Sequence, residues 1–130
     1  MDVYRISAVT LKVRDMKESC DFYSRMPGFR LVYGGAGDLF TTFEIGGSKA
    51  YLNLELANDP SKQDFGRVIF HTDDVDGLYR YMKNDRAISV AITFETEPAD
   101  ALWGERFFHV REPNGYLLSF ASPLKIDKEH

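Results

Sequence analysis

Four β-rich runs of this chain set groups capable of acid–base chemistry and hydrogen bonding on alternate positions. Tyr51, Asn53 and Glu55 alternate with Leu52, Leu54 and Leu56, while Arg67, Ile69 and His71 alternate with Val68 and Phe70. Ser119 falls between Leu118 and Phe120, and Thr10 between Val9 and Leu11. Successive side chains of a strand point to opposite faces, so each run has one apolar face and one mixed face. Apolar walls with a few polar anchors are what a small-molecule pocket requires. An ordinary solvated sheet face gives the same pattern. Histidine is the side chain best suited to general acid–base catalysis near neutral pH, which makes His71 the candidate here. No nucleophile or orienting partner accompanies it in the sequence, so a merely hydrogen-bonded histidine is the competing reading.

The elements that must position these groups occur twice. Residues 8–16 read AVTLKVRDM and residues 67–75 read RVIFHTDDV, an offset of 67 − 8 = 59. Val9 matches Val68, Leu11 matches Phe70, Val13 matches Thr72, Met16 matches Val75, and Asp15 matches Asp74. A unit repeated only twice fits a two-module domain better than a solenoid. In the first module, Ile6–Val13 reads as a strand. Asp15 caps a helix with Glu18 as capping-box partner, and Met16, Cys20, Tyr23 and Met26 form its apolar stripe up to Pro27-Gly28. Strands follow at Phe29–Tyr33, Phe40–Ile45 and Ala50–Leu56, the last two joined by a Gly46-Gly47 turn.

The second module begins with a strand over Arg67–Thr72. Asp74 then caps a helix with a Val75, Leu78, Tyr79 and Met82 stripe. A strand is expected around Ala91–Glu97, followed by an acidic loop to Trp103-Gly104. Glu105–Arg111 and Tyr116–Ala121 form a last hairpin around Pro113-Asn114-Gly115. The expected fold is α+β, βαβββ twice: module one at about 4–57, a linker at about 58–64, module two at about 65–123 and a tail over 124–130, all in one domain.

Composition narrows the function classes. The chain has 130 residues, 44% hydrophobic and 28% charged, as in soluble globular domains. No apolar run is long enough to cross a bilayer and no signal pattern opens the chain, so a cytoplasmic location and no membrane partner are expected. The single cysteine, Cys20, excludes an internal disulfide and a thiolate zinc cage, and its place on a helix stripe suits a small buried hydrophobe. A net charge of −4 without a basic cluster argues against nucleic acid. Gly34–Gly37 lacks the spacing and the following helix of a nucleotide loop.

With these pieces in order, the chain resembles the vicinal-oxygen-chelate superfamily of glyoxalase I, extradiol dioxygenases, fosfomycin-resistance enzymes and bleomycin-resistance proteins. The resemblance runs from about Ile6 to Ser122. It is carried by LKVRDMKESCDFYSRMPGFRLV at 11–32, LNLEL at 52–56, TDDVDGLYRYM at 72–82 and WGERFFHVREPNGYLLSF at 103–120. It implies paired βαβββ modules forming a curled mixed sheet around a cleft. Metal enzymes of the family carry one ligand on the first and one on the last strand of each module, positions held here by Ala8, Glu55, Arg67 and Ser119. Only Glu55 is a competent ligand. Alanine has no donor, guanidinium stays cationic, and a serine hydroxyl is a poor neutral ligand. His71 lies four residues beyond the ligand position at Arg67, His109 is on another strand, and His130 is in the tail. No metal and no other cofactor is therefore expected, and the closest pattern is that of metal-free bleomycin-resistance-like members.

At a former ligand position, Arg67 suggests a cation in place of a metal ion, with Glu55 as its counter-charge. That pair is either structural or leaves Arg67 able to clamp a carboxylate or phosphate with its planar fork. Trp103, Gly104, Arg106 and Phe107 resemble the family's WGxR(x)F stretch, which borders the cleft; Trp103 either stacks on a flat ligand or serves as a core or interface residue. The expected cleft residues are Thr10, Tyr51, Asn53, Glu55, Arg67, Ile69, His71, Trp103, Arg106 and Ser119. The leading reading is a metal-independent binding protein for a small organic molecule. A metal-independent lyase or isomerase and a structural or regulatory module with a vestigial cleft are the alternatives. Relatives commonly dimerise, so a homodimer is expected.

Overall fold

The computed structural model describes residues 1–2, 5–58 and 67–124. The chain divides into two compact units, Met1–Lys62 and Gln63–His130. Their boundary lies in the segment expected to be the linker; residues 59–64 of that segment and 125–130 of the tail lie outside the described residues.

Unit one has the order β1 (Ala8–Val13), α1 (Met16–Ser24), β2 (Phe29–Tyr33), β3 (Phe40–Ile45) and β4 (Ala50–Leu56). Its sheet runs β1-β4-β3-β2, with β1 and β4 parallel and the other pairs antiparallel. β1 begins at Ala8 rather than Ile6, which is 80% exposed and buries no side chain that would justify pairing. Asp15 starts α1 by accepting a hydrogen bond from Glu18 N at 3.0 Å, satisfying a donor that the first turn leaves open. The predicted stripe of Met16, Cys20, Tyr23 and Met26 is buried, joined by Phe22. It packs on Leu11, Val13, Phe43, Leu52 and Leu54, the apolar side of the sheet. Tyr23 anchors the aromatic core, its ring 5.9 Å from Phe29 and 6.1 Å from Phe43. Cys20 is buried and its Sγ donates to Thr41 Oγ1 at 3.6 Å; burial pushes the thiol pKa up, which suits a packing residue rather than a nucleophile.

The Gly34 position explains the glycines after β2. Its φ is +76°, and a Cβ there would lie 2.2 Å from the Phe40 carbonyl oxygen. The glycine allows the backbone to turn against β3.

Unit two has β5 (Arg67–His71), α2 (Val75–Asn84), α3 (Arg86–Ala91), β6 (Thr93–Phe94), β7 (Ala99–Asp100), β8 (Glu105–Arg111) and β9 (Leu117–Pro123). The sheet order is β5-β9-β8-β6, with β7 also paired to β8 and β5 parallel to β9. Asp74 caps α2 by accepting from Gly77 N at 2.9 Å. Val75, Met82, Ile88, Phe108, Val110, Leu118 and Phe120 make the core. Leu78 and Tyr79 of the predicted stripe are half-buried.

Two expectations are corrected here. The strand expected around Ala91–Glu97 shrinks to Thr93–Phe94, preceded by a short helix over Arg86–Ala91. Asp85 caps that helix through Ile88 N at 3.0 Å, and Ile88 is fully buried. A local cap and one buried anchor outweigh the β-branched content of AISVAIT. The acidic loop before Trp103 contains β7, whose Ala99 and Asp100 face Phe107 and Arg106. The second unit is thus a βαβββ module with an added helix and an added short strand.

Candidate functional site

Each sheet turns one face to its helices and leaves a second, mixed face. In unit one, Thr10, Asn53 and Thr42 lie side by side on adjacent strands. Thr42 Oγ1 donates to Asn53 Oδ1 at 2.7 Å, and Asn53 Nδ2 donates to Thr10 Oγ1 at 3.2 Å. One pair along, Glu55 stands between Lys12 on β1 and Phe40 on β3; in the other direction Tyr51 stands between Ala8 and Glu44. Arg30 pairs with Glu44 on the same face. Four of the expected cleft residues, Thr10, Tyr51, Asn53 and Glu55, therefore share one surface.

In unit two the register gives a grid. Arg67, Leu117 and Arg111 form one cross-strand row, Ile69, Ser119 and His109 the next, and His71, Ala121 and Phe107 the third. Glu105 lies opposite Pro123 beyond them. Ser119 is 2% exposed, and its Oγ lies 2.6 Å from His109 Nδ1, a hydrogen bond. Burial, followed by the nearby Arg67 cation, holds the His109 pKa below its ordinary value, against a smaller opposing effect of Glu95. Both dominant causes favour neutral imidazole. His71 Nε2 lies 3.4 Å from Glu105 Oε2, and Trp103 Nε1 donates to Glu105 Oε1 at 3.0 Å. Ala121 on β9, between His71 of β5 and Phe107 of β8, carries only a methyl group along that reach. The Trp103 and Phe107 rings stack at 6.0 Å and 26°, and the Phe107 and His109 rings follow at 4.8 Å. Trp103 remains 67% exposed.

Arg106 is placed elsewhere. It alternates with Phe107, so it shares the helix-side face of β8 with Phe108 and Val110. There its Nε and Nη2 donate to the two carboxylate oxygens of Asp76 at 2.8 and 2.9 Å, and its Nη1 donates to Asp100 at 2.8 Å. The fork on Asp76 lowers that carboxyl's pKa, and its main effect is to fasten α2 to β8 and β7.

Glu55 lies in unit one and Arg67 in unit two, and both are exposed. The burial that motivated pairing them is absent. His109, set aside in the sequence as lying on another strand, stands directly beside Ser119. The hairpin centred on Pro113-Asn114-Gly115 already carried the signal, because counting outward from it pairs 109 with 119. Glu105, the partner of His71, was also missed; alternation back from His109 and Phe107 puts it on that face.

A comparison against known families agrees with the fold. The family model described as Glyoxalase/Bleomycin resistance protein/Dioxygenase superfamily matches residues 5–120, and the chain belongs to that superfamily. A search of curated proteins returned no match. Among solved structures, the fold is shared with a glyoxalase/bleomycin resistance protein/dioxygenase from Nocardioides (21% identity, 100% of this chain and 90% of that one, TM-score 0.67). It is also shared with TioX from Micromonospora sp. ML1 (22% identity, 93% and 100% covered, TM-score 0.67). A third is the bleomycin-binding protein of Streptomyces verticillus, solved with copper(II)-bleomycin (20% identity, 97% and 100% covered, TM-score 0.68).

The metal that many family members hold does not fit these residues. Ala8 offers no donor, Arg67 offers a cation, and the Ser119 hydroxyl is engaged by His109. Among the described residues no group of three or more His, Cys, Asp or Glu side chains is arranged to hold a metal ion. No helix of the described residues is long and apolar enough to cross a membrane.

Proposed function

We propose that this protein is a metal-independent binding protein for a small organic molecule, acting as a cytoplasmic homodimer. The observation that carries the reading is the donor set at the family's ligand positions: one carboxylate, one guanidinium, one methyl and one hydroxyl already bonded to an imidazole. A divalent ion needs three or four converging donors, so the polar groups of these faces remain available to a ligand instead. The exposed Trp103 on its Phe107 support gives such a ligand an aromatic platform. The complex of the Streptomyces verticillus relative with copper(II)-bleomycin supports the class, not the compound.

Trp103 is the single tryptophan, so its fluorescence reports directly on this face. Titration with flat aromatic compounds should give saturable quenching that excess EDTA leaves unchanged, and elemental analysis should find no stoichiometric metal. Zinc, nickel, manganese or iron at one per chain, bound through Glu55, would overturn the proposal. For the dimer, the edge strand β2 exposes Leu31, Val32 and Tyr33, apolar surface of the kind that association covers. Light scattering at micromolar concentration should give twice the mass of one chain.

A second reading, a metal-independent lyase or isomerase, has one observation in its favour. His71 possesses the orienting carboxylate that a general base needs, Glu105, itself fixed by Trp103. Chelator-insensitive turnover abolished by His71→Gln would establish it in place of simple binding. A structural or regulatory module with a vestigial cleft would bind none of the probes.

A further inference from the structure

The mixed face of unit two also carries information about the charge of what it binds. Its acids are already matched. Glu105 receives Trp103 Nε1 at 3.0 Å and lies 3.4 Å from His71, and Glu95 lies 3.3 Å from Arg111 Nε. Arg111 is further tied by donating from Nη1 to the Gly115 carbonyl at 3.0 Å. Arg106, the other arginine of β8, is spent on Asp76 and Asp100 on the opposite face. Arg67 differs from both: among the described residues no hydrogen bond or ion pair engages its guanidinium. It is exposed at the start of β5, one grid row from Ser119 and His109.

Two strands across from Arg67, on the same face, runs the series of rings Trp103, Phe107 and His109, spaced 6.0 and 4.8 Å. Two residues along a strand span about 7 Å and the two strand spacings across β9 about 10 Å, a gap that an aromatic ring together with the long arginine side chain can cover. A flat ring lying on Phe107 and His109 would bring a substituent within reach of the guanidinium fork. Planar, five-donor guanidinium matches a carboxylate in two parallel hydrogen bonds. We infer that the ligand of this face is an aromatic carboxylate, its ring on the Trp103–Phe107–His109 row and its anion on Arg67. Among the described residues of this face, a cationic ligand would meet Arg67 without a partner and the acids Glu95 and Glu105 already engaged. The chain's net charge of −4 disfavours anions overall, so a preference for one must come from a local group.

The inference rests on the binding reading above, and one calorimetric comparison separates the two. 2-Naphthoate, 2-naphthalenemethanol and 2-naphthylmethylammonium share a ring system and differ in charge. The intact chain should bind the naphthoate about tenfold or more tighter than the alcohol, and the ammonium weakest, as expected for a charge-assisted hydrogen bond. In Arg67→Gln the naphthoate advantage should fall to about onefold while the alcohol binds as before, which also establishes that the variant is folded. Equal binding of acid and alcohol by the intact chain, or an advantage that survives Arg67→Gln, would overturn the carboxylate assignment while leaving small-molecule binding in place. Tightest binding of the ammonium would do the same. Failure of all three to bind would count against both.

Discussion

Phe108→Ala is expected to remove about 3–5 kcal/mol of stability, the usual cost of truncating a buried phenylalanine. Phe108 is fully buried at the middle of β8, with its ring 5.2 Å from Tyr79 of α2 and 5.3 Å from Phe120 of β9. It is the contact through which helix and hairpin share one core. Truncation leaves a cavity walled by stiff rings: Tyr79 is also edge-on to Phe94 at 5.4 Å, and Phe120 is stacked on Phe70 at 5.6 Å. Such walls cannot collapse inward without losing their own contacts. Since small domains are stable by only about 5–15 kcal/mol, the variant should unfold at markedly lower urea. The midpoint followed by Trp103 fluorescence, a reporter within unit two, is the measurement. A shift worth less than about 1 kcal/mol would mean that the cavity refills and that the ring cluster is less rigid than its geometry indicates.

Glu112→Ala should be nearly as costly, for a different reason. Glu112 is 3% exposed, and the turn that follows it surrounds its side-chain oxygens with hydrogen-bond donors. It accepts from the Asn114 backbone N–H, from Asn114 Nδ2 at 3.2 Å and from Tyr116 N at 3.3 Å. The backbone closes around it, Glu112 N donating to Tyr116 O at 3.0 Å and Gly115 N to Glu112 O at 2.8 Å. Alanine would leave these buried donors without the carboxylate, at roughly 1–3 kcal/mol for each one left unpaired. The loss expected is roughly 3 kcal/mol or more, with Glu112→Gln less damaging because an amide oxygen still accepts. Function should follow stability, since this turn sets the β8–β9 register that puts His109 against Ser119. A Glu112→Ala protein as stable as the parent in urea would show that the turn holds by its backbone alone.

How much of this was legible beforehand depended on whether the signal was local. The two capped helices, the strands Phe29–Tyr33, Phe40–Ile45, Ala50–Leu56 and Glu105–Arg111, and the apolar face of each rest on alternation, helical spacing and capping aspartates. Those are properties of neighbours in sequence, and folding did not alter them. The helix at Arg86–Ala91 was missed because its six residues are too few to display a period. Only Asp85 three residues before Ile88 announced it, and a β-branched composition argued louder. Arg106 was grouped with its neighbour Trp103 because they belong to one motif, yet alternation along β8 sends its side chain to the helices and to Asp76.

The amino-acid sequence by itself determined the duplicated α+β plan, the buried side of strands such as β1 and β4, and the poverty of metal donors at Ala8, Arg67 and Ser119. Residue type and spacing suffice for these. Tertiary structure decided which polar groups are occupied and which are free: His109 with Ser119, His71 with Glu105, Arg106 with Asp76, and Arg67 without a partner among the described residues. Charges and hydrogen bonds act over a few ångströms in space, between residues ten to thirty-four apart in the chain, and only strand register and helix packing fix those distances.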